Sequence, residues 1–261
     1  MIDIHPTHHG SFTLRDFFIH LAIITLGIFI AIGLEQTVEY FHHLHQRHQL
    51  EENLRAELRA DIQKAAKDDR RFAAIRAYTF DLKSAVDARR AHKSSPAPPS
   101  ANDTRRQQVP IAPSIAIWEA AKLDATVTLL PTDEIRLYNG VVLQHTLVFD
   151  AINDFQHAAF ALESFEERFV DSTGAIDMGY AGPLPSLDKM SDADLVQYQT
   201  LLAAYIKSID RVNVRIHFFA SVARGILDGA PDYDQLMRRA FPDGKPPALD
   251  LPPENEGTNT P

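Results

Sequence analysis

One apolar stretch near the N-terminus constrains this chain more than any other feature. It runs from Phe17 to Leu34, contains no Asp, Glu, Lys or Arg, and is interrupted only by His20 and Thr25. As an α-helix rising about 1.5 Å per residue it spans roughly 27 Å, close to the hydrocarbon core of a bilayer. We therefore expect residues 16–36 to form a single transmembrane helix that contacts the lipid bilayer through Phe17 to Leu34.

Two other readings of this stretch stay open. In a cleaved secretory signal, Arg15 would be the charged flank and Ala31-Ile32-Gly33 would resemble a small-x-small cleavage site. The apolar core of such signals usually runs about 7 to 15 residues, which is shorter than this one. A buried helix of a soluble protein is the other reading. The anchor is favoured because neither Gly nor Pro occurs from Leu34 to Lys93, so the helix can continue.

Composition excludes several classes of function. The 261 residues contain no cysteine, so disulfides, thiol catalysis and Cys-type zinc sites are ruled out. The net charge of -9 argues against a nucleic-acid partner, which would need a basic face, and offers no polybasic grip on anionic lipid. Hydrophobic residues make up 45 %, enough for a packed core beside one anchor. We expect an anchored protein with one domain of ordinary size, or with a small domain on an extended stalk.

Downstream of the anchor, the sequence predicts helices that are separated by polar loops. Apolar residues recur at steps of three and four after residue 37, which is the helical period. The charged run Lys67-Asp68-Asp69-Arg70-Arg71 interrupts this stripe and allows a bend. The expected segments are a short polar tail (1–15), the membrane helix (16–36), a long amphipathic helix (37–93), a Pro/Ser-rich disordered loop (94–114), a helical bundle (115–242) and a disordered tail (243–261).

The bundle contains the clearest pattern in the sequence. Its expected helices cover about 115–129, 133–170, 192–228 and 232–240. In the second and third, apolar residues recur at alternating steps of three and four, a 3.5-residue repeat that favours left-handed supercoiled packing. The Gly- and Pro-rich segment between them predicts an antiparallel αα-hairpin. The fold class is therefore all-α: a transmembrane helix continuing into a long helix, packed with this hairpin as a helical bundle with coiled-coil character.

Four residues or pairs are expected to begin or end these helices. Ser114 and Thr132 are candidate N-caps, and Ser191 with Asp194 resembles a capping box. Gly229 is a candidate C-terminal stop. The segment 125–130 is the only run with strand-like composition, and it is interpreted as the end of a helix. Trp118, the only tryptophan, is expected in the core.

The membrane helix carries one candidate association face. Gly27 and Ala31 lie four residues apart, and small residues at this spacing let two helices approach closely. With His20, Ile24 and Glu35 they form one narrow face. Chance is the alternative explanation, because Gly and Ala are common in membrane helices.

Histidines supply the candidate metal ligands. His42, His45 and His48 follow the membrane helix at intervals of three, and a metal site there would need further ligands. His145 lies on a heptad seam, level with His217 if the hairpin is centred near residue 181. The alternatives are a polar collar at the membrane surface and an ordinary hydrogen-bonded core histidine. We expect no metal or cofactor, and we expect Glu166, near a helix end, to be solvated.

Catalytic signatures are missing from the sequence. It contains no G-x-S-x-G, no Gly-rich phosphate loop and no H-E-x-x-H. Adjacent acid pairs such as Glu51-Glu52 and Glu166-Glu167 point apart on a helix and do not form a general acid–base pair. We therefore expect no enzymatic activity.

Two segments resemble a widespread family of uncharacterised bacterial single-pass membrane proteins. The first is HLAIITLGIFIAIGLEQTVEYFHHLHQRHQLEENLRAELRADI (20–62), and the second is IWEAAKLDATVTLLPTDEIRLYN (117–139). In the second, Asp124-Ala125-Thr126 stands where a glycine-containing turn is expected. The resemblance implies an N-terminal anchor in the bacterial inner membrane with an exported, periplasmic helical domain, and it implies no activity.

Function is expected to follow from this architecture. The first hypothesis is a structural or protein-interaction module of the bacterial envelope that pairs with itself or with another envelope protein. The alternative is a ligand- or metal-binding sensor or carrier bundle, motivated by the twelve histidines. Nucleic acid is not an expected partner.

Overall fold

The computed structural model describes residues 14–93, 112–170 and 185–245. This part of the chain is helical and contains no strand, which confirms the all-α class. The chain forms two compact units, Met1–Leu50 and Glu51–Pro261. The described residues form five helices: α1 (Leu14–Arg90), α2 (Ala116–Leu123), α3 (Thr132–Glu166), α4 (Asp192–Leu227) and α5 (Tyr233–Ala240). They also form 3₁₀ turns at Thr126–Leu129, Glu167–Phe169 and Leu187–Lys189.

Several expectations fall outside the described residues. They concern the polar N-terminal tail, most of the Pro/Ser-rich loop 94–114, the hairpin loop and the last part of the C-terminal tail. The undescribed ranges are 1–13, 94–111, 171–184 and 246–261.

Helix α1 remains α-helical through the charged run 67–71. Its buried side chains recur at steps of four and three from Leu54 to Val86, and the series passes directly through polar residues. The set is Leu54, Leu58, Asp61, Ala65, Asp68, Phe72, Ile75, Thr79, Leu82 and Val86. Asp61, Asp68 and Thr79 thus occupy core positions of a regular 3.5-residue repeat. The charged run weakens the apolar stripe without ending the helix.

Helices α3 and α4 form the antiparallel pair that the heptad pattern predicts. Tyr198 donates to Glu166, Arg211 pairs with Asp154, and both contacts are centred on about residue 182, one residue from the expected centre. The residues of the two 3.5-residue repeats, here called the seam residues, are buried except for the half-buried His145, Ala159 and Tyr205. On α3 the buried ones are Tyr138, Val141, Val148, Ile152, Phe155, Leu162, Glu166 and Phe169; on α4 they are Leu195, Tyr198, Leu202, Ile209, Val212, Ile216, Phe219, Ala223 and Ile226.

The Glu51–Arg90 part of α1 packs on both members of this pair. Arg76 bonds Asp210 at 2.6 Å and Arg90 bonds Gln199 at 2.8 Å, so residue numbers rise on α1 as they fall on α4. Phe72 meets Phe155 edge-on, with 5.5 Å between ring centroids. Farther along α1 and α3, in the direction of rising residue number on both, Leu82 and Glu166 line one cavity. Helix α1 therefore runs antiparallel to α4 and parallel to α3, which requires a long crossover between α1 and α3.

The crossover contains α2 and a sharp turn. Ala125 adopts a left-handed conformation, with φ of 63°, between α2 and the 3₁₀ turn Thr126–Leu129. The expected helix 115–129 is thus two short helical pieces. Trp118 is buried and stacks on Tyr138 with 5.4 Å between ring centroids, which confirms its core position. Burial raises the pKa of the Tyr138 phenol to about 12.

The helix ends agree with the sequence where the signal is local. Ser191 and Asp194 form the expected capping box, and Gly229 follows α4 with φ of 75°. Thr132 is instead the first residue of α3, whose N-cap is Pro131 without a side-chain cap. The N-cap of α2 is Ile115 rather than Ser114, although the Ser114 hydroxyl accepts a bond from the Ala116 amide at 3.2 Å.

Helix α5 packs at one end of the bundle, next to Gly225 of α4 and Gly140 of α3. A Cβ on Gly225 of α4 would lie 2.6 Å from Cδ1 of Leu236 on α5, so a larger residue at this position would displace that side chain. A Cβ on Gly140 of α3 would lie in ordinary contact with the Tyr233 ring, at 3.4 Å. Asp232 caps α5 by accepting from the Gln235 amide at 2.8 Å.

Candidate functional site

The apolar segment Phe17–Leu34 is the most distinctive functional feature of the described residues. It belongs to the one described helix that is long and apolar enough to cross a membrane, and none of its window is buried. Phe29 is 67 % exposed and Leu26 is 61 % exposed. Apolar side chains in such number require cover by lipid or protein. The segment is therefore a surface that another phase or another molecule must contact.

The candidate association face lies in the middle of this segment. Gly27 and Ala31 are both exposed, and a Cβ added to Gly27 would meet no atom within 4 Å. The same holds for Gly33, which lies on a different side of the helix. Space for close helix approach is thus present at both glycines.

The histidines that follow the segment are spread around the helix. His42, His45 and His48 are exposed, and the ring centroids of His42 and His43 lie 6.3 Å apart. Positions three apart turn the helix by about 300°, so the three imidazoles fan out over more than one face. Among the residues that the structure describes, no group of three His, Asp or Glu side chains is close enough to hold a metal ion.

His145 and His217 lie at nearly the same level of the α3–α4 pair but contact different neighbours. His217 Nε2 lies 2.9 Å from an oxygen of Asp69 on α1, so its ring faces α1. His145 is half-buried on α3. The structure thus joins His217 to a carboxylate, and this neighbour could not be inferred from the α3–α4 register alone.

A buried polar cluster lies between α1, α3 and α4. Tyr198 is fully buried and donates to Glu166 at 2.5 Å, and Glu166 is only 4 % exposed. The expectation that Glu166 is solvated is wrong, because its seam position turns it into the bundle. A cavity of about 40 Å³ adjoins the cluster and is also lined by Thr79, Glu163 and Tyr205. This volume suits water molecules bound to polar groups rather than a larger ligand.

Two carboxylates of α1 hold the chain just before α2. Glu57 Oε1 accepts bonds from the Ser114 hydroxyl at 2.6 Å and from the Ala116 amide at 3.0 Å. Asp61 accepts from the Ser114 amide at 2.9 Å and from Lys64 at 2.9 Å. Burial raises the pKa of the Asp61 carboxyl, while the bonds from Lys64 and Ser114 oppose that shift. These groups satisfy backbone donors that α2 leaves open at its start.

Sequence reasoning missed the buried Asp61, Asp68 and Glu166 and the half-buried Glu57. The signal that identifies three of them is the uninterrupted 3.5-residue repeat, which includes Asp61, Asp68 and Glu166 when charged residues are allowed to occupy seam positions. Compared with family models, curated proteins and solved structures, the chain finds no match in any of the three.

Proposed function

We propose that this chain is a membrane-anchored helical bundle that acts as a structural or protein-interaction module of the bacterial envelope, without catalysis. The anchor is the segment Phe17–Leu34 in the inner membrane, and the bundle from Glu51 onward is exported to the periplasm. The proposal of a bacterial, exported domain rests on the resemblance of residues 20–62 and 117–139.

The main support for this proposal is the exposed apolar segment Phe17–Leu34 of α1. Each Å² of apolar surface in water costs about 25 cal/mol, so a whole exposed window of this kind is strongly unfavourable outside lipid. A bilayer covers all sides of the helix at once, and the helix satisfies its own backbone donors and acceptors there. The window also matches the thickness of the hydrocarbon core. Lipid is therefore the cover that fits both its length and its uniform apolarity.

The contacts of the bundle support a structural role. Glu57 and Asp61 are bonded to the backbone before α2, Glu166 accepts from Tyr198, and His217 contacts Asp69. Each of these buried or half-buried groups is bonded to another part of the fold. The Tyr198–Glu166 contact joins α4 to α3, and the His217–Asp69 contact joins α4 to α1.

Membrane fractionation tests the anchor. We expect the full chain to remain in the membrane pellet after an alkaline wash. Replacement of Ile24 and Leu26 by Lys costs about 2.5–3.5 kcal/mol per residue at the centre of a membrane helix, so this variant is expected in the soluble fraction. The matched control places two Lys at Leu123 and Phe160, which are exposed on the bundle, and should stay in the pellet. Equal behaviour of both variants would contradict the anchor.

Protease treatment of intact spheroplasts tests the orientation. We expect digestion of the bundle from outside, with a membrane-retained N-terminal fragment. Full protection, with digestion only after lysis, would place the bundle in the cytoplasm and overturn the exported orientation. Recovery of a shortened soluble protein would show that the apolar segment is a cleaved signal.

A further inference from the structure

The first unit of α1 carries a 3.5-residue repeat of exposed side chains. Alternating steps of four and three connect His20, Ile24, Gly27, Ala31, Leu34, Val38, Phe41, His45 and His48, which we name the α1 seam. Every one of these residues is exposed. A strict 3.5-residue repeat keeps one face of a helix against a partner helix along a left-handed supercoil. We propose that the partner is a second copy of this chain, paired in parallel along the α1 seam.

This proposal rests on the proposed function and names the partner of the same anchored helix. Within the membrane, small residues mark the seam: Gly27 and Ala31 occupy consecutive seam positions. Helices in lipid associate through close packing at small residues, since lipid covers larger apolar side chains equally well. The small residues alone do not show whether a second helix or lipid contacts this face, because lipid also fills the space around them.

The deciding observation lies beyond the membrane exit at Glu35. Val38 is 68 % exposed and Phe41 is 62 % exposed, although they stand about 6 and 10 Å beyond Leu34 along the helix. The headgroup layer is only about 5–8 Å thick on each side of the hydrocarbon core. Phe41 therefore lies past the lipid that covers Phe17–Leu34, and it requires cover by protein.

Most residues away from the seam in this stretch are polar, and Tyr40 and Leu44 are the exposed apolar exceptions. The polar residues are Gln36, Thr37, Glu39, His43, Gln46 and Arg47. An apolar seam on a mostly polar helix is typical of a two-helix interface in water. The seam thus continues across the membrane boundary, from Gly27 and Ala31 inside the lipid to Val38 and Phe41 outside it.

Charge and symmetry favour a second copy over an unrelated partner. In a parallel pair of identical helices, each residue lies opposite its own counterpart, so a charged seam residue would face a like charge. From His20 to His48 the α1 seam contains no Asp, Glu, Lys or Arg, and Glu35, four residues after Ala31, flanks the seam at the membrane exit. Copies inserted by the same route also share one orientation, which places Gly27 opposite Gly27 and Phe41 opposite Phe41. A two-fold pair requires this kind of self-complementary face.

Cysteine crosslinking tests the pairing without background, because the chain contains no cysteine. Single variants Val38→Cys and Phe41→Cys probe the seam, and Glu39→Cys and Tyr40→Cys are neighbours on other faces. In native membranes treated with a mild oxidant, we expect disulfide dimers of the full chain about tenfold more abundant at 38 and 41 than at 39 and 40. Equal yields, no dimers at any position, or crosslinks only to a protein of another mass would overturn the proposal.

Two glycines provide a second, matched test in the Phe41→Cys background. Gly27→Ile obstructs the seam and Gly33→Ile does not, while neither added side chain meets an atom of its own chain within 4 Å at Cβ. We expect Gly27→Ile to lower the dimer yield about tenfold and Gly33→Ile to leave it unchanged. Equal effects of the two would overturn pairing through this face.

Fractionation of the same samples separates this proposal from the anchor. Chains recovered in the membrane pellet that form no seam-specific dimers overturn the pairing and leave the proposed anchor intact. Chains recovered in the soluble fraction contradict the anchor, and seam-specific dimers among them still support the pairing.

Discussion

Glu166 and Tyr198 show how a single polar pair is held inside an apolar bundle. Both side chains occupy seam positions, and the phenol donates to the carboxylate at 2.5 Å in a site with almost no solvent access. Removing one partner of a buried hydrogen bond leaves the other group unsatisfied, and that loss is costly. The pair therefore fixes the α3–α4 register more strictly than two apolar residues would.

Removal of the phenolic hydroxyl tests this pair. Tyr198→Phe keeps the ring stacked on Phe165 and removes the donor to Glu166. We expect the free energy of unfolding to fall by about 1–3 kcal/mol in urea titrations of the detergent-solubilised chain. Tyr233→Phe, at a partly exposed tyrosine on α5, is the control and should change it by less than about 0.5 kcal/mol. Equal losses in both variants would show that the Tyr198 hydroxyl has no special role.

Asp61 is expected to make stability depend on pH. Burial raises its pKa above the ordinary 3.8 in the folded state, so the folded chain holds this proton more tightly than the unfolded chain does. The contribution of Asp61 to the free energy of unfolding is therefore greatest below about pH 4 and declines as the pH rises through the raised pKa.

The variant Asp61→Asn isolates this effect. It keeps an oxygen that can accept from the Ser114 amide and removes the titration. We expect the stability of the parent chain, measured relative to Asp61→Asn, to fall as the pH rises from about 4 towards 7. Parallel stability profiles of the two proteins across this range would contradict the prediction.

At the scale of elements, α2 depends on a residue of another helix. Its own N-cap residue, Ile115, offers no side-chain cap, and Glu57 of α1 accepts from the Ala116 amide instead. A carboxylate at a helix N-terminus also interacts favourably with the helix dipole. Glu57 thus joins α2 to α1 and satisfies one of its open amides in a single contact.

Substitution of Glu57 tests this cap. Glu57→Ala is expected to cost about 1–2 kcal/mol of unfolding free energy, as loss of an N-cap does. It should also speed hydrogen exchange at the amides of Ala116 and Ile117. Glu57→Gln retains a carbonyl acceptor and should lose less than half as much. If Glu57→Gln were as damaging as Glu57→Ala, charge rather than hydrogen bonding would hold α2.

These two caps explain what the sequence predicts and what it does not. The box at Ser191 and Asp194 is formed by residues three apart, so it can be read from a short window. Glu57 and Ala116 are 59 residues apart, and no local pattern connects them. The 3.5-residue repeats of the two helices predicted the α3–α4 pair and its register in the same way, because each repeat is also a pattern within one continuous segment. The face to which His217 turns depends on α1, and it emerges only when three helices are assembled.

At the scale of the whole molecule, the bundle is compact by itself. Residues from Glu51 onward form one unit, and the N-terminal unit ends at Leu50. We expect a chain that begins at Glu51 to keep its helix content and to unfold in one cooperative transition, followed by circular dichroism during heating. A broad transition without a clear midpoint would show that the bundle needs the preceding unit.

The parallel arrangement of α1 and α3 has a consequence for the order of assembly. The Tyr198–Glu166 and Arg211–Asp154 contacts between α4 and α3 join residues 32 and 57 apart, whereas the Arg55–Leu227 contact between α1 and α4 joins residues 172 apart. Closing the longer loops costs roughly 1 kcal/mol more conformational entropy, so the hairpin can form before α1 docks. During synthesis, however, α1 is completed first, and about a hundred further residues must be made before α4 begins. At ordinary rates of translation this takes roughly 5–20 s. Asp61 and Asp68 interrupt the apolar face that α1 exposes in this interval, and we expect these charges to reduce aggregation of the helix before α3 and α4 are made.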